Sequence, residues 1–262
     1  MTDNRPSPLL SDASKVPVVT FGFWVIKVLA TTLGETAGDW VTMSLGRGYL
    51  VGSVIFAAIF AALVASQVKA SHFRPALFWA TIVATTTLGT TMADYADRSL
   101  GIGYAGGVAI VGALLAASLL VWRWSEGTVS VVSIDTPKAE WFYWGTILFS
   151  QTLGTALGDW LAGSDRGGFG MGYGFGALVF GAGLAVVAAL YFWTRVSHTV
   201  LFWAAFVLTR PLGATVGDFL DKPLAQGGLD FSRWLASLVL LGCIVACVTL
   251  IPQRAATKGD AR

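Results

Sequence analysis

One stretch, FWVIKVLATTLGETAGDW from Phe23 to Trp40, recurs three more times, and this repetition limits the possible folds more than any other feature of the chain. The second copy leads from Phe78-Trp79 through Thr87-Leu88-Gly89 to Asp94. The third leads from Tyr143-Trp144 through Thr152-Leu153-Gly154 to Asp159, and the fourth from Phe202-Trp203 through Pro211-Leu212-Gly213 to Asp218. Trp precedes Asp by fifteen residues in every copy, and Leu-Gly always stands in L-G-x4-D. A fixed spacing in four copies means that one supersecondary unit is reused.

Composition says what kind of unit. Hydrophobic residues make up 55% of the 262 and charged ones 12%, about half the charge of an ordinary soluble domain. Several apolar runs approach the roughly 20 residues that cross a bilayer. The expected fold is an all-α integral membrane protein: eight transmembrane helices arranged as four two-helix hairpins, parallel internal repeats with pseudo-symmetry. The spans are expected near 18–42, 50–68, 76–95, 104–122, 140–162, 175–193, 200–220 and 234–251. Residues 1–16 read as a polar surface tail with no cleavable signal, 17–251 as one membrane domain, and 252–262 as a polar C-terminal tail. The repeats fall at about 17–70, 71–124, 139–195 and 196–251.

Ten Lys and Arg lie in the loops and tails on the side of the termini and five on the opposite side. The richer side is usually cytoplasmic, so both termini are expected inside. A net charge of +2 gives no reason to expect nucleic acid; the partners expected are the lipid bilayer and a small cation. Cys243 and Cys247 read as small hydrophobes in an apolar run, and the G-x-G-x-x-G string at 101–106 follows no strand of a dinucleotide fold. The Trp at each repeat start reads as an interfacial anchor, and Tyr49, Tyr104 and Tyr173, each in G-x-G-Y, as an outer aromatic belt.

The repeated Asp is harder to account for by packing. A carboxylate inside the hydrocarbon costs about 2.5–3.5 kcal/mol on insertion scales, so four would cost roughly 10–14 kcal/mol together. The small-x3-small steps Gly34/Gly38, Gly89/Ala93, Gly154/Gly158 and Gly213/Gly217 let helices approach closely but leave the charge unexplained. Positions three, four and seven before Asp share its helical face. They carry Thr36, Glu35 and Thr32 in repeat one, and Thr91, Thr90 and Thr87 in repeat two. Repeat three has Thr155 and Thr152 there, and repeat four Thr215. A Thr hydroxyl can also bond back to its own helix. Oxygen ligands of this kind suit hard cations such as magnesium, calcium and manganese, which makes Asp39, Asp94, Asp159, Asp218 and Glu35 the candidate metal ligands. Arg210 is a candidate counter-charge and Lys27 is expected to snorkel to the interface. Pro211 is expected to break its helix beside the site.

The T-L-G-x3-G-D element resembles a family of bacterial integral membrane proteins described as uncharacterised or membrane-anchored, and this resemblance implies a multi-pass protein of the bacterial inner (cytoplasmic) membrane. The resemblance covers all four repeats, with Ala93 in place of Gly in repeat two and Pro211 in place of Thr in repeat four. More loosely, the element is similar to the acidic G-D motifs of manganese and calcium exporters, although their E-L-G-D-K-T string is absent. The function expected is secondary transport of a divalent metal cation, manganese export first, coupled to protons or to the membrane potential, with no enzymatic step and no cofactor. A pseudo-fourfold cation channel and a non-transporting membrane scaffold stay open as alternatives.

Overall fold

The computed structural model describes residues 13–261. Eight long helices account for most of them: α1 (Phe21–Asp39), α2 (Tyr49–Lys69), α3 (Pro75–Asp94), α4 (Tyr104–Glu126), α5 (Pro137–Ala162), α6 (Tyr173–Trp193), α7 (His198–Asp221) and α8 (Arg233–Leu250). Local signals start them. Thr20 and Thr136 cap α1 and α5 through their hydroxyls, and Pro75 and Pro137 occupy the first turns of α3 and α5, where a missing N–H costs nothing. Gly48, Gly103 and Gly172 precede α2, α4 and α6 with φ of 75°, 74° and 80°. That region favours glycine and explains the G-x-G-Y turns.

The helices form two concentric rings. Odd-numbered helices pack in a closed inner cycle, α1 on α3, α3 on α5, α5 on α7, and α7 back on α1. Each even-numbered helix lies outside and packs chiefly on the first helix of the following repeat. Thus α2 covers α3, α4 covers α5, α6 covers α7, and α8 closes the circle on α1. The Leu-Gly glycines set the inner spacing. A Cβ on Gly34 would collide with Thr86, one on Gly89 with Gln151, one on Gly154 with Arg210, and one on Gly213 with Thr31. Each of these residues stands eight before the Asp of the next repeat, so one register is repeated around the ring.

Six helices, α2, α3, α4, α6, α7 and α8, are long and apolar enough to cross a bilayer. Eight spans were expected. Among the described residues α1 and α5 fall short, because α1 carries Lys27, Glu35 and Asp39 and α5 is diluted by Gln151, Ser150 and three Thr. The outer helices are apolar yet largely exposed, with Leu50, Val54, Ile110, Leu178 and Leu238 all more than 50% accessible. Large exposed apolar faces suggest lipid contact, hence a membrane protein.

The expected polar tails are partly structured. Residues 1–12 and 262 lie outside the described residues, but β1 (Ala13–Pro17) pairs antiparallel with β2 (Ala255–Thr257). The two strands and the turn Val131–Ser133 form a small cap at the terminal end of the bundle. Ser14 donates to the Val131 carbonyl (2.9 Å), and Lys15 pairs with Glu140 (2.6 Å). Three of the four repeat-start tryptophans are not lipid anchors as expected: Trp79, Trp144 and Trp203 are buried, and Trp24 is half-buried. Trp79 donates to Gln253 (3.3 Å) and Trp203 to the Val129 carbonyl (2.9 Å). Nor does Pro211 break α7, which runs through it as one helix, held on both sides by the ring.

Replacing Gly89 by Val drives methyl groups into the Gln151 backbone and is expected to destabilise the protein by about 1–3 kcal/mol. Gly242→Val, where a Cβ meets nothing within 4 Å, is expected to change stability by less than about 0.5 kcal/mol. Thermal unfolding of the two purified variants in detergent checks the contrast.

Candidate functional site

Counting back from each Asp in steps of four gives side chains stacked in layers along the inner ring, about 6 Å apart at 1.5 Å rise per residue. The acidic layer is Asp39, Asp94, Asp159 and Asp218. Next come Glu35, Thr90, Thr155 and Ala214, then Thr31, Thr86, Gln151 and Arg210, then Lys27, Ile82, Ile147 and Phe206. The last is Phe23, Phe78, Tyr143 and Phe202. All twenty residues are buried, none more than 8% accessible. The interior therefore grades from acidic at the far end to aromatic at the terminal end.

Two cations organise the acidic layer, and both stand four residues after an Asp. Lys222, one turn beyond Asp218 on the α7 face, places its Nζ 2.9 Å from Asp218 Oδ1 and 2.6 Å from Asp39 Oδ2. Arg98 follows Asp94 through the π-helical turn Tyr95–Ser99. Its Nε lies 2.6 Å from Asp94 and its Nη2 3.4 Å from Asp159. Both were assigned to far-end loops from sequence; both turn inward instead. Repeats one and three have Met43 and Gly163 at this place, so each of their aspartates borrows the cation of a neighbouring repeat. The fourfold ring thereby becomes two pairs.

The next layers hold a third cation. Arg210, fully buried, lies 2.9 Å from Glu35 Oε2 and donates to the hydroxyls of Thr90 and Thr155 at 2.5 Å each. Thr90 is also 3.3 Å from Glu35. Thus Thr90 and Thr155 join the charged network. Thr32, Thr36, Thr87, Thr91, Thr152 and Thr215 instead donate to carbonyls of their own helices. Lys27 does not snorkel. It is fully buried, 4.1 Å from the Phe206 ring, and its amine has no hydrogen-bond partner among the described residues.

Of the five carboxylates singled out in sequence, three converge: Glu35, Asp39 and Asp218 each offer an oxygen within 4.8 Å of the others. Asp94 and Asp159 meet around Arg98 and stand outside that group. Sequence reasoning also missed Asp97, Gln151 and Asp221, all buried with at least one side-chain oxygen lacking a partner. Tyr104 is buried and donates to Asp165 at 2.8 Å, so it is no lipid-facing belt residue. In the far-end turn, burial pushes the Asp165 carboxyl up, but the Tyr104 hydroxyl and the Arg98 and Arg166 guanidiniums outweigh it and hold it below the usual carboxylate range.

A family model described as "Repeat of Unknown Function (DUF347)" matches residues 22–73, 77–128, 142–197 and 201–252. The chain belongs to the DUF347 repeat family. Each DUF347 repeat thus takes in one inner helix, its Asp and one outer helix, and the four supply the four corners of the acidic layer. No curated protein and no solved structure matches the chain.

Arg210 removal isolates the charge of Glu35. Arg210→Met is expected to destabilise by about 3–5 kcal/mol, as when one partner of a buried pair is lost. Adding Glu35→Gln is expected to recover much of that loss. A double-mutant cycle of unfolding free energies, with Glu35→Gln alone as its third variant, checks this; a loss in the double variant equal to the sum of the two single losses would show that the pair is not coupled.

Proposed function

We propose that this protein is a membrane carrier for a hard divalent cation, held by Glu35, Asp39 and Asp218 and passed along the acidic layer. The observation that carries the reading is the convergence of those three buried carboxylates within 4.8 Å. Oxygen-only ligands favour magnesium, calcium or manganese over copper or a thiolate zinc site, and the likeness to manganese exporters puts manganese first for testing. Lys222 holds Asp39 and Asp218 together when no ion is bound and yields them when one is. Proton exchange is the natural coupling for carboxylates so crowded.

A carrier fits better than a channel, because the aromatic layer and the cap close the axis at the terminal end while the charged layers lie towards the other. Alternating access around a fixed site is how repeat-built transporters work. On this reading all eight helices cross the bacterial cytoplasmic membrane, with the termini inside. One observation favours a scaffold instead: the carboxylates are already paired by lysine and arginine, as structural ion pairs are.

Purified protein in liposomes, loaded with a manganese-sensitive dye and a proton gradient, separates the readings. Gradient-dependent manganese flux is expected, with Asp218→Asn weakening manganese binding by at least the roughly 10–100-fold that loss of an outer-shell partner costs a metal site. Flux without proton movement points to a channel. No flux of manganese, calcium or magnesium leaves only the scaffold.

A further inference from the structure

The outer helices of the first three repeats begin with Tyr49, Tyr104 and Tyr173; the fourth, α8, begins with Arg233. Because each outer helix covers the next repeat, these residues sit over the Asp of that repeat. The charge of Asp94 acts on Tyr49, that of Asp159 on Tyr104, whose hydroxyl donates to Asp165, and that of Asp218 on Tyr173. Arg233 completes the cycle at the seam where the last repeat meets the first. Its Nε lies 3.9 Å from Asp39 Oδ2 and 3.3 Å from Asp221 Oδ2, and its Nη1 donates to Ser44 at 3.3 Å. So the one departure from tyrosine places a charge over an aspartate of the candidate site.

That seam also opens to the outside. A cleft of about 260 Å³ lies there, with Trp40, Ser44, Asp221, Arg233 and Trp234 among its lining. The second oxygen of each carboxylate that Arg233 approaches, Oδ1 of Asp39 and Oδ1 of Asp221, is buried with no hydrogen-bond partner among the described residues. The Asp221 side chain is 0% accessible and that of Asp39 1%. Such oxygens are costly to leave bare; Asp221 lines the cleft itself, and Asp39 lies behind it, beyond Arg233. Arg233, at 21% accessibility, is the least buried of the cations that touch Asp39, and the other, Lys222, is tied to Asp218 as well.

We propose that Arg233 gates the cation site: it is a tethered positive charge that closes the α8–α1 seam and leaves Asp39 when a cation enters through the cleft. This rests on the carrier reading above for the identity of the cation, but not for the existence of the gate. A guanidinium and a metal ion cannot both occupy Asp39 without strong repulsion, so Arg233 contact and metal occupancy exclude each other, and Lys222, 2.6 Å from Asp39, yields behind it. Tyrosine at the same place in the other repeats carries no charge to displace, which makes the seam the one corner of the ring where entry is controlled by charge.

Two measurements on the full-length purified protein test this. In the first, loss of the free manganese signal in electron paramagnetic resonance reports binding. Arg233→Gln and Arg233→Tyr are expected to bind manganese about tenfold more tightly, one decade being about 1.4 kcal/mol, while Arg233→Lys stays near the parent. Unchanged affinity in both neutral variants overturns the gate. In the second, Cys243 and Cys247 are replaced by Ser, Asp218→Cys is introduced so that Asp39 keeps its carboxylate for Arg233, and labelling by a cationic methanethiosulfonate is timed. Arg233→Gln is expected to speed labelling about tenfold, by the same measure of one lost barrier, and Arg233→Lys to leave it slow. Equal rates in all three overturn the gate. If Asp218→Cys does not fold, the binding measurement on the Arg233 variants decides. A parent that binds no manganese removes the carrier reading, and the labelling rates still decide whether Arg233 closes the seam.

Discussion

An aspartate can stand inside this ring of helices because a cation reaches it from its own or a neighbouring repeat. Lys222 joins Asp218 to Asp39 and Arg98 joins Asp94 to Asp159. In a low-dielectric interior an unpaired carboxylate would cost several kcal/mol, so these two bridges are what lets the acidic layer exist. They also require the closed cycle. Asp39 lies on the first inner helix and Lys222 at the end of the last, and only the packing of α7 and α8 on α1 brings them to 2.6 Å. The ion pairs and the ring are two aspects of one arrangement.

The same arrangement explains why repeats with nearly the same motif do unequal things. At the place eight before Asp, Thr31 and Thr86 are small, Gln151 is a neutral amide and Arg210 is a full charge. Four before Asp, only repeat one has a carboxylate, Glu35, and it lies 2.9 Å from Arg210. At the place four after Asp, repeats two and four supply cations and repeats one and three do not. The backbone keeps a fourfold register while the charges follow lower symmetry, and the charged contacts gather where α7 meets α1. There the three converging carboxylates also lie.

Much of this was legible in the sequence. The constant fifteen-residue spacing and the L-G-x4-D element gave four units, and the apolar runs gave eight helices whose ends differ from expectation by a few residues. The glycine steps pointed to close packing, which Gly34 against Thr86 and Gly213 against Thr31 realise. What misled was the treatment of charge near helix ends. Arg98 and Lys222 looked like loop residues because they follow the last apolar turn. Yet their shared place one turn beyond Asp, where i and i+4 are neighbours on a helix, was a signal that aligning the repeats reveals. The tryptophans misled in a related way. An aromatic at the end of a span usually faces the interface, but here the segments that lead into the cap, through Gln253 before β2 and Val129 before the turn Val131–Ser133, give Trp79 and Trp203 protein partners. Pairing between chain ends that are distant in sequence leaves no local trace for a reader to follow.

Lys27 shows why the gradient of layers matters for mechanism. A lysine amine buried without a partner is costly, and three aromatic or aliphatic residues, Ile82, Ile147 and Phe206, share its layer. Its nearest contact of electrostatic character is the Phe206 ring at 4.1 Å, a modest attraction. Above it stands Arg210, already committed to Glu35, Thr90 and Thr155. An ammonium at Lys27 would therefore repel any cation descending from the acidic layers towards the terminal end, and a neutral amine would not. Passage of a positive ion through that layer thus requires Lys27 to lose its proton or to move. On the carrier reading this makes the boundary between the charged layers and the aromatic one an electrostatic barrier, and its charge sits on α1, the helix that also carries Glu35 and Asp39.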